Sequence, residues 1–281
     1  MQEVANPISE QVRRLIFGYD KGLPLEAIEE PLRAPDGITR THFEITTTHD
    51  QRVPGILHTP AGAGPFPLLV MQHGAGSQKE AEYITRPAEY WAEREGWAVL
   101  AIDAPHHGER TTVAFDRQEL FRHPYRWRDH AVQAAQDLMR ALDYAETRPE
   151  LNLERAGYIG FSMGTILGVA FVALDERIKA AVFTIGGSVT LTRLQQFSGQ
   201  TGEEVALIAD LVDSAAYAPL IAPRPVLMIN GRTDEVVLPE SGQRLFDALE
   251  EPKRIEWFDG GHYDMRGKEF RLIRDFFADH L

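Results

Sequence analysis

Short, wholly apolar runs alternate with longer segments of helical periodicity through most of this sequence. Leu68-Leu69-Val70-Met71, Ala98 to Ile102 and Val226 to Ile229 are such runs, Tyr158-Ile159 closes another, and Lys179 to Ile185 reads as a further strand. A strand that is apolar on both sides must be covered on both faces, so it needs helices above and below it. Helical patterns stand between these runs, over 83–95, 128–147, 163–175 and 240–250. Arg254 to Phe258 reads as a last strand and 266–280 as a final amphipathic helix. Strands that alternate with helices build βαβ units and a mostly parallel, twisted sheet.

Two stretches depart from this rhythm at the N-terminal end. Residues 1–40 read as a helical flap, with one stripe at Val12, Leu15 and Ile16 and a second at Leu25, Ile28 and Leu32, broken by Pro31, Pro35 and Asp36-Gly37. From His42 the period becomes two: Phe43, Ile45 and Thr47 alternate with polar residues, His49-Asp50-Gln51 is a turn, and Val53 to His58 returns. That pattern predicts an antiparallel hairpin. About forty residues between Ile185 and Pro225 lack a clear strand, and Val205, Leu207, Ile208, Leu211 and Val212 look helical. We read 187–218 as a helical lid inserted into one α/β domain that spans 1–281.

The composition narrows the function. A formal charge of -13 over 281 residues argues against nucleic acid and against an anionic membrane surface as partners. The absence of cysteine excludes disulfides, thiolate nucleophiles and Cys-ligated metals. The polar stretch Met1 to Glu10 does not resemble a secretion signal, and no run is apolar enough to span a bilayer, so a cytoplasmic location is expected.

Three motifs carry chemistry. Gly160-Phe161-Ser162-Met163-Gly164 lies between the strand ending at Ile159 and a helix. That is the setting of a nucleophile elbow, where flanking glycines permit a turn too tight for side chains and expose the hydroxyl. Gly231-Arg232-Thr233-Asp234 follows the strand Val226 to Ile229, which puts a carboxylate at the edge where α/β sites form. Gly260-Gly261-His262-Tyr263 follows the last strand, and its paired glycines can bring His262 back over the sheet. Asp210, Asp213 and Asp259 are the rival acids. The order Ser162, Asp234, His262 is that of serine, acid and histidine in the α/β-hydrolase fold.

From about His42 onward the chain resembles an α/β-hydrolase, nearest to the dienelactone-hydrolase-like and prolyl-oligopeptidase-like esterases. Dienelactone hydrolases carry cysteine at the elbow, where this chain has Ser162. The resemblance implies an oxyanion loop at Gln72-His73-Gly74-Ala75-Gly76, with the Ala75 and Met163 amides as donors and Gly76 as a further one. It also implies that His73 braces this loop, and it groups His73, Gly74, Gly76 and His107 around the substrate. Asp103-Ala104-Pro105-His106-His107-Gly108-Glu109-Arg110 could suggest a metal site, but it matches a hydrogen-bonded D-x-x-x-H-G loop of similar hydrolases, so no metal is expected. Arg117, Arg122, His123, Arg126 and Arg128, interleaved with Phe121, Tyr125 and Trp127, read as a solvated, ion-paired surface.

The expected activity is that of a serine carboxylesterase on short- to medium-chain or aromatic esters, with a small-molecule ester as partner and no cofactor. The short acyl preference rests on the polar lid residues Gln195, Gln196, Ser198, Gln200 and Thr201. The alternatives are a peptidase or acylaminoacyl hydrolase, an acyltransferase on the same triad, and a non-catalytic binding protein.

Overall fold

A computed structural model describes residues 8–112 and 117–281. In chain order its elements are α1 (Glu10–Phe17), β1 (Ile28–Leu32), β2 (Ile38–Thr46), β3 (Arg52–Pro60), β4 (Phe66–Gln72), α2 (Glu82–Arg94) and β5 (Ala98–Ile102). Then come α3 (Arg117–Arg122), α4 (Pro124–Glu146), β6 (Leu151–Phe161), α5 (Met163–Leu174) and β7 (Ile178–Thr184). The chain ends with α6 (Leu191–Ser198), α7 (Glu203–Val212), β8 (Val226–Gly231), α8 (Pro239–Ala248), β9 (Lys253–Phe258) and α9 (Gly267–His280).

The strands form one sheet in the order β1-β2-β3-β5-β4-β6-β7-β8-β9. β1, β2, β3 and β5 pair antiparallel, and every pair from β5 through β9 is parallel. The apolar runs supply two cores at once. Leu68 and Val70 of β4 join Ala98, Leu100 and Ile102 of β5 in a core under α4 and α5. Leu69 and Met71 turn the other way, with Val99 and Ala101, against Trp91 of α2 and Phe277 of α9. Period-two alternation therefore persists within strands that are apolar throughout.

The N-terminal flap is half helical. α1 forms, capped by the Ser9 hydroxyl, which accepts from Val12 N at 3.3 Å. The second expected helix is instead the edge strand β1, in register with β2 from Ile28↔Glu44 to Leu32↔Arg40. Pro31 explains the difference: it disfavours helical dihedrals at Glu30, and on an edge strand its missing N–H goes unnoticed.

The segment 187–218 is helical, but it is no loose flap. Leu194, Val205, Ile208, Leu211 and Val212 are buried in the core beside α4 and α5. Arg13 of α1 donates to the Asp210 carboxylate at 2.6 Å and to the Asp210 carbonyl at 2.7 Å. Phe17 meets Tyr217 edge-on at 5.4 Å between ring centroids. Gln196, Gln200 and Thr201 face solvent, so their polarity describes the outer surface of the segment.

Among the described residues, no helix is long and apolar enough to cross a membrane. The surface at α3 and α4 is ion-paired, Glu119 with Arg122 at 2.6 Å and Arg128 with Asp129 at 2.5 Å. The side chains of Arg117 and Phe121 lie outside the described residues.

Phe277 wedges between α9 and the sheet: a Cβ on Gly157 of β6 would lie 2.4 Å from its ring. Phe277→Ala is expected to destabilise the fold by about 3–5 kcal/mol in urea unfolding, as a buried ring lost to a cavity does.

Candidate active site

The sheet order dictates where chemistry can occur. β6, β7 and β8 are neighbours, and the segments that follow β6 and β8 leave the same edge of the sheet. Ser162 turns off β6 into α5 with φ 55° and ψ −111°. A non-glycine residue there is strained, and the surrounding structure must hold it. Its amide donates to Thr184 O at 3.0 Å. The Thr165 hydroxyl donates to Gly160 O at 2.8 Å, and Tyr158 Oη donates to Gly164 O at 2.7 Å. A Cβ at Gly164 would lie 2.3 Å from Gln72 O, so β4 and α5 meet too closely for any side chain there.

His262 reaches the serine from the loop after β9. Its Nε2 lies 2.9 Å from Ser162 Oγ and its Nδ1 lies 2.7 Å from Asp234 Oδ2. The other Asp234 oxygen accepts from Val236 N at 2.8 Å and Val237 N at 2.9 Å. A carboxylate acceptor on Nδ1 assigns the ring proton there and leaves the Nε2 lone pair for the serine hydroxyl. Asp234 and His262 are buried, while Ser162 is half-buried. The rival acids are occupied elsewhere. Asp210 holds Arg13, Asp213 pairs with Arg244 at 2.5 Å, and Asp259 is 97% exposed beside Arg232.

The loop after β4 completes the site. A Cβ at Gly74 would fall 3.3 Å from Ser162 Cβ, so this loop runs directly beside the nucleophilic position. The Gly74 amide donates to Tyr83 Oη at 2.9 Å. Among the described residues, no acceptor takes the Ala75 amide or the Met163 amide, which is the first N–H of α5. Two unclaimed amides, one from each side of Ser162, suit a developing oxyanion.

His73 is enclosed by protein. Its Nδ1–H donates to Gly74 O at 2.8 Å, its Nε2 accepts from Ala104 N at 3.1 Å, and its side chain is fully buried. It ties the loop after β4 to the loop after β5. Burial drives its pKa below the usual histidine range, to about 4, so it braces as a neutral ring. His107 is also buried; its Nδ1–H donates to Pro105 O at 2.8 Å and its ring packs 5.3 Å from that of His73. It borders an open hollow of about 430 Å³ that Gly76, Ser77 and Thr111 also line.

One group lay outside the sequence reading. Lys79 is buried and donates Nζ to Asp103 at 2.9 Å and to Glu109. The same Asp103 carboxylate accepts from Lys79 N at 2.8 Å and Glu109 N at 3.0 Å. This knot fixes the Asp103–Arg110 loop against the loop that carries Gly74 and Ala75. No periodicity marks Lys79, which stands in an irregular stretch.

Among the described residues, the one set of potential metal ligands is His42, Glu44 and Glu109. Its charges are already matched: Glu109 meets Lys79 and His42, and Glu44 meets Arg52.

The FSH1 serine hydrolase model matches residues 76–266. The chain belongs to the FSH1 serine hydrolase family. The match takes in Ser162, Asp234 and His262, the three groups of this FSH1 site that hydrogen-bond in series. The FSH1 chain is 28% identical over 204 residues to the putative hydrolase YtaP of Bacillus subtilis, across 66% of each protein. It is 28% identical over 181 residues to the esterase FrsA of Escherichia coli, which covers 64% of this chain and 39% of FrsA. The chain thus spans less than half the length of FrsA. A cold-adapted esterase from an Arctic intertidal metagenomic library superposes with a TM-score of 0.70 at 28% identity, over 90% of this chain and 97% of that one. An acetyl xylan esterase from Paenibacillus sp. R4 has a TM-score of 0.78 at 22% identity, over 96% and 93% of the two chains, and shares the fold.

Buried histidines make a pH prediction. His58 and His73 are held at about 4, chiefly by burial, and burial also keeps His130 well below 6.5. In the unfolded chain each titrates near 6.5. Below that pH the unfolded chain binds more protons than the folded one, so stability is lost as pH falls from about 6.5 toward 4. The unfolding free energy from urea titration should fall between pH 7 and pH 5, by on the order of 2 kcal/mol for each of His58 and His73. A flat free energy over that range would contradict it.

Proposed function

We propose that this serine hydrolase is a carboxylesterase that works through an acyl-enzyme on Ser162. The hydrogen-bonded series Ser162, His262, Asp234 carries the reading. His262 Nε2 removes the hydroxyl proton as Oγ attacks the ester carbonyl. Asp234 holds the ring in the right tautomer and stabilises the imidazolium. The Ala75 and Met163 amides receive the oxyanion, and Gly74 and Gly76 let the loop backbone approach the substrate. His262 then protonates the leaving alcohol, and water, activated by the same nitrogen, releases the acid.

The relatives named as esterases support the ester reading, FrsA and the Arctic enzyme both at 28% identity. We assign short- to medium-chain or aromatic acyl groups. The segment 187–218, which we take as a fixed cap on the site, spends Leu194, Val205, Ile208, Leu211 and Val212 on the core. Little of its apolar surface is left for a long acyl chain.

Initial rates on p-nitrophenyl esters from acetyl to palmitoyl test this reading. Activity should peak at short chains, and Ser162→Ala should lower kcat by at least about 10⁴-fold. Asp234→Asn should keep the fold and cost on the order of 10⁴-fold, because it favours the wrong tautomer. Full activity in Ser162→Ala would remove the serine from the mechanism.

A further inference from the structure

We infer that Tyr263 forms a leaving-group subsite for esters whose alcohol carries a six-membered ring with an apolar face, aryl or pyranosyl. This rests on the esterase reading above. Tyr263 is 81% exposed, the most exposed of the large hydrophobic side chains among the described residues. Tyrosine normally buries most of its ring, so an open ring at a site mouth calls for a use. Its ring stands 5.1 Å from that of His262, nearly perpendicular at 86°.

Two further apolar side chains are open on the neighbouring loop, Val236 at 48% and Leu238 at 41%. That loop carries Asp234 and runs along the histidine loop, joined to it by Thr233 N→Gly260 O at 3.1 Å. All three side chains therefore stand on the acid and histidine side of Ser162. The backbone under Tyr263 is also held: Arg266 donates to Tyr263 O at 2.8 Å, and Gly261 N donates to Asp264 at 2.9 Å. A backbone braced in this way is ordered before any ligand arrives, which lowers the entropy lost on binding.

The reaction says which half of the ester lies there. In acylation the Ser162 Oγ–carbonyl bond forms and the carbonyl–alkoxy bond breaks, and the serine proton passes through His262 Nε2 to the departing oxygen. That oxygen must come within hydrogen-bond reach of Nε2. The alcohol then extends outward past the imidazole, where Tyr263 stands. An aryl ring can stack on the tyrosine, and a pyranose can lay its C–H face on it and bury apolar surface.

Three acetate esters test the subsite: phenyl acetate, a mono-acetylated methyl pyranoside and ethyl acetate. The acyl group is constant, and intrinsic leaving-group reactivity cancels when each variant is divided by wild type. Tyr263→Ala should lower kcat/KM for a ring-bearing ester relative to ethyl acetate by about five-fold, within the range measured for aromatic pairs. Tyr263→Phe should restore the wild-type ratio, since the ring face is the binding element. Loss on phenyl acetate alone identifies an aryl subsite, and loss on the pyranoside alone identifies a sugar subsite. Equal losses on all three esters, or none, would overturn the subsite while leaving the esterase intact. Wild-type protein that hydrolyses none of the three would overturn both. Binding without turnover is read in Ser162→Ala, where benzyl alcohol should shift the Tyr263 ring resonances; unshifted resonances count against the aryl form.

Discussion

The imidazole of His262 is held from both ends, by Asp234 on one nitrogen and Ser162 on the other, and the rest of the molecule arranges that bridge. The two partners leave strands separated by one intervening strand, β7. Two strand spacings are about 10 Å, and a ring with a hydrogen bond on each side spans most of that distance. The loop after β9 supplies this ring from the same edge. Sheet order, more than local sequence, therefore fixes which three residues can act together.

Holding the bridge requires local conformations that a relaxed chain avoids. Ser162 keeps a positive φ because Thr184, Thr165 and the glycine contact with Gln72 leave it no alternative. The loop beside it is tied down three ways: by His73 to Ala104, by Tyr83 to Gly74, and by the buried Lys79–Asp103 pair. Each tie satisfies a buried polar group that would otherwise be costly. The neutral state of His73 belongs to the same design, since burial favours the uncharged ring and the uncharged ring can both donate and accept.

Much of this was legible in the sequence, for identifiable reasons. β4, β5 and β8 are short and largely apolar, so burial announces them. Gly160 to Gly164 is legible because the elbow leaves no room for side chains. Ser162, Asp234 and His262 stand out in the sequence by their places after strands and by their order. β1 was misread, since its apolar spacing also fits a helix and its pairing with β2 is a contact between distant residues. Lys79 was invisible because its partner, Asp103, arrives from the next strand. His73 reads as a brace of its loop, whereas the grouping of His73 and His107 around the substrate leaves out their burial, which depends on packing between two loops that no pattern encodes. The polar residues of 187–218 misled for a related reason: which face of α6 and α7 turns inward is set by the core beside α4 and by Arg13.

Activation of one serine by its neighbours is the claim everything else serves, and covalent labelling reads it without any assumption about substrate. The protein is treated with a fluorophosphonate and digested, and the adduct is located by mass spectrometry, with His262→Ala treated in parallel. The structure predicts one phosphonylated residue, Ser162, in the wild-type protein, and labelling of the histidine variant slowed by several orders of magnitude. Equal labelling of both proteins, or an adduct on a different serine, would contradict the account.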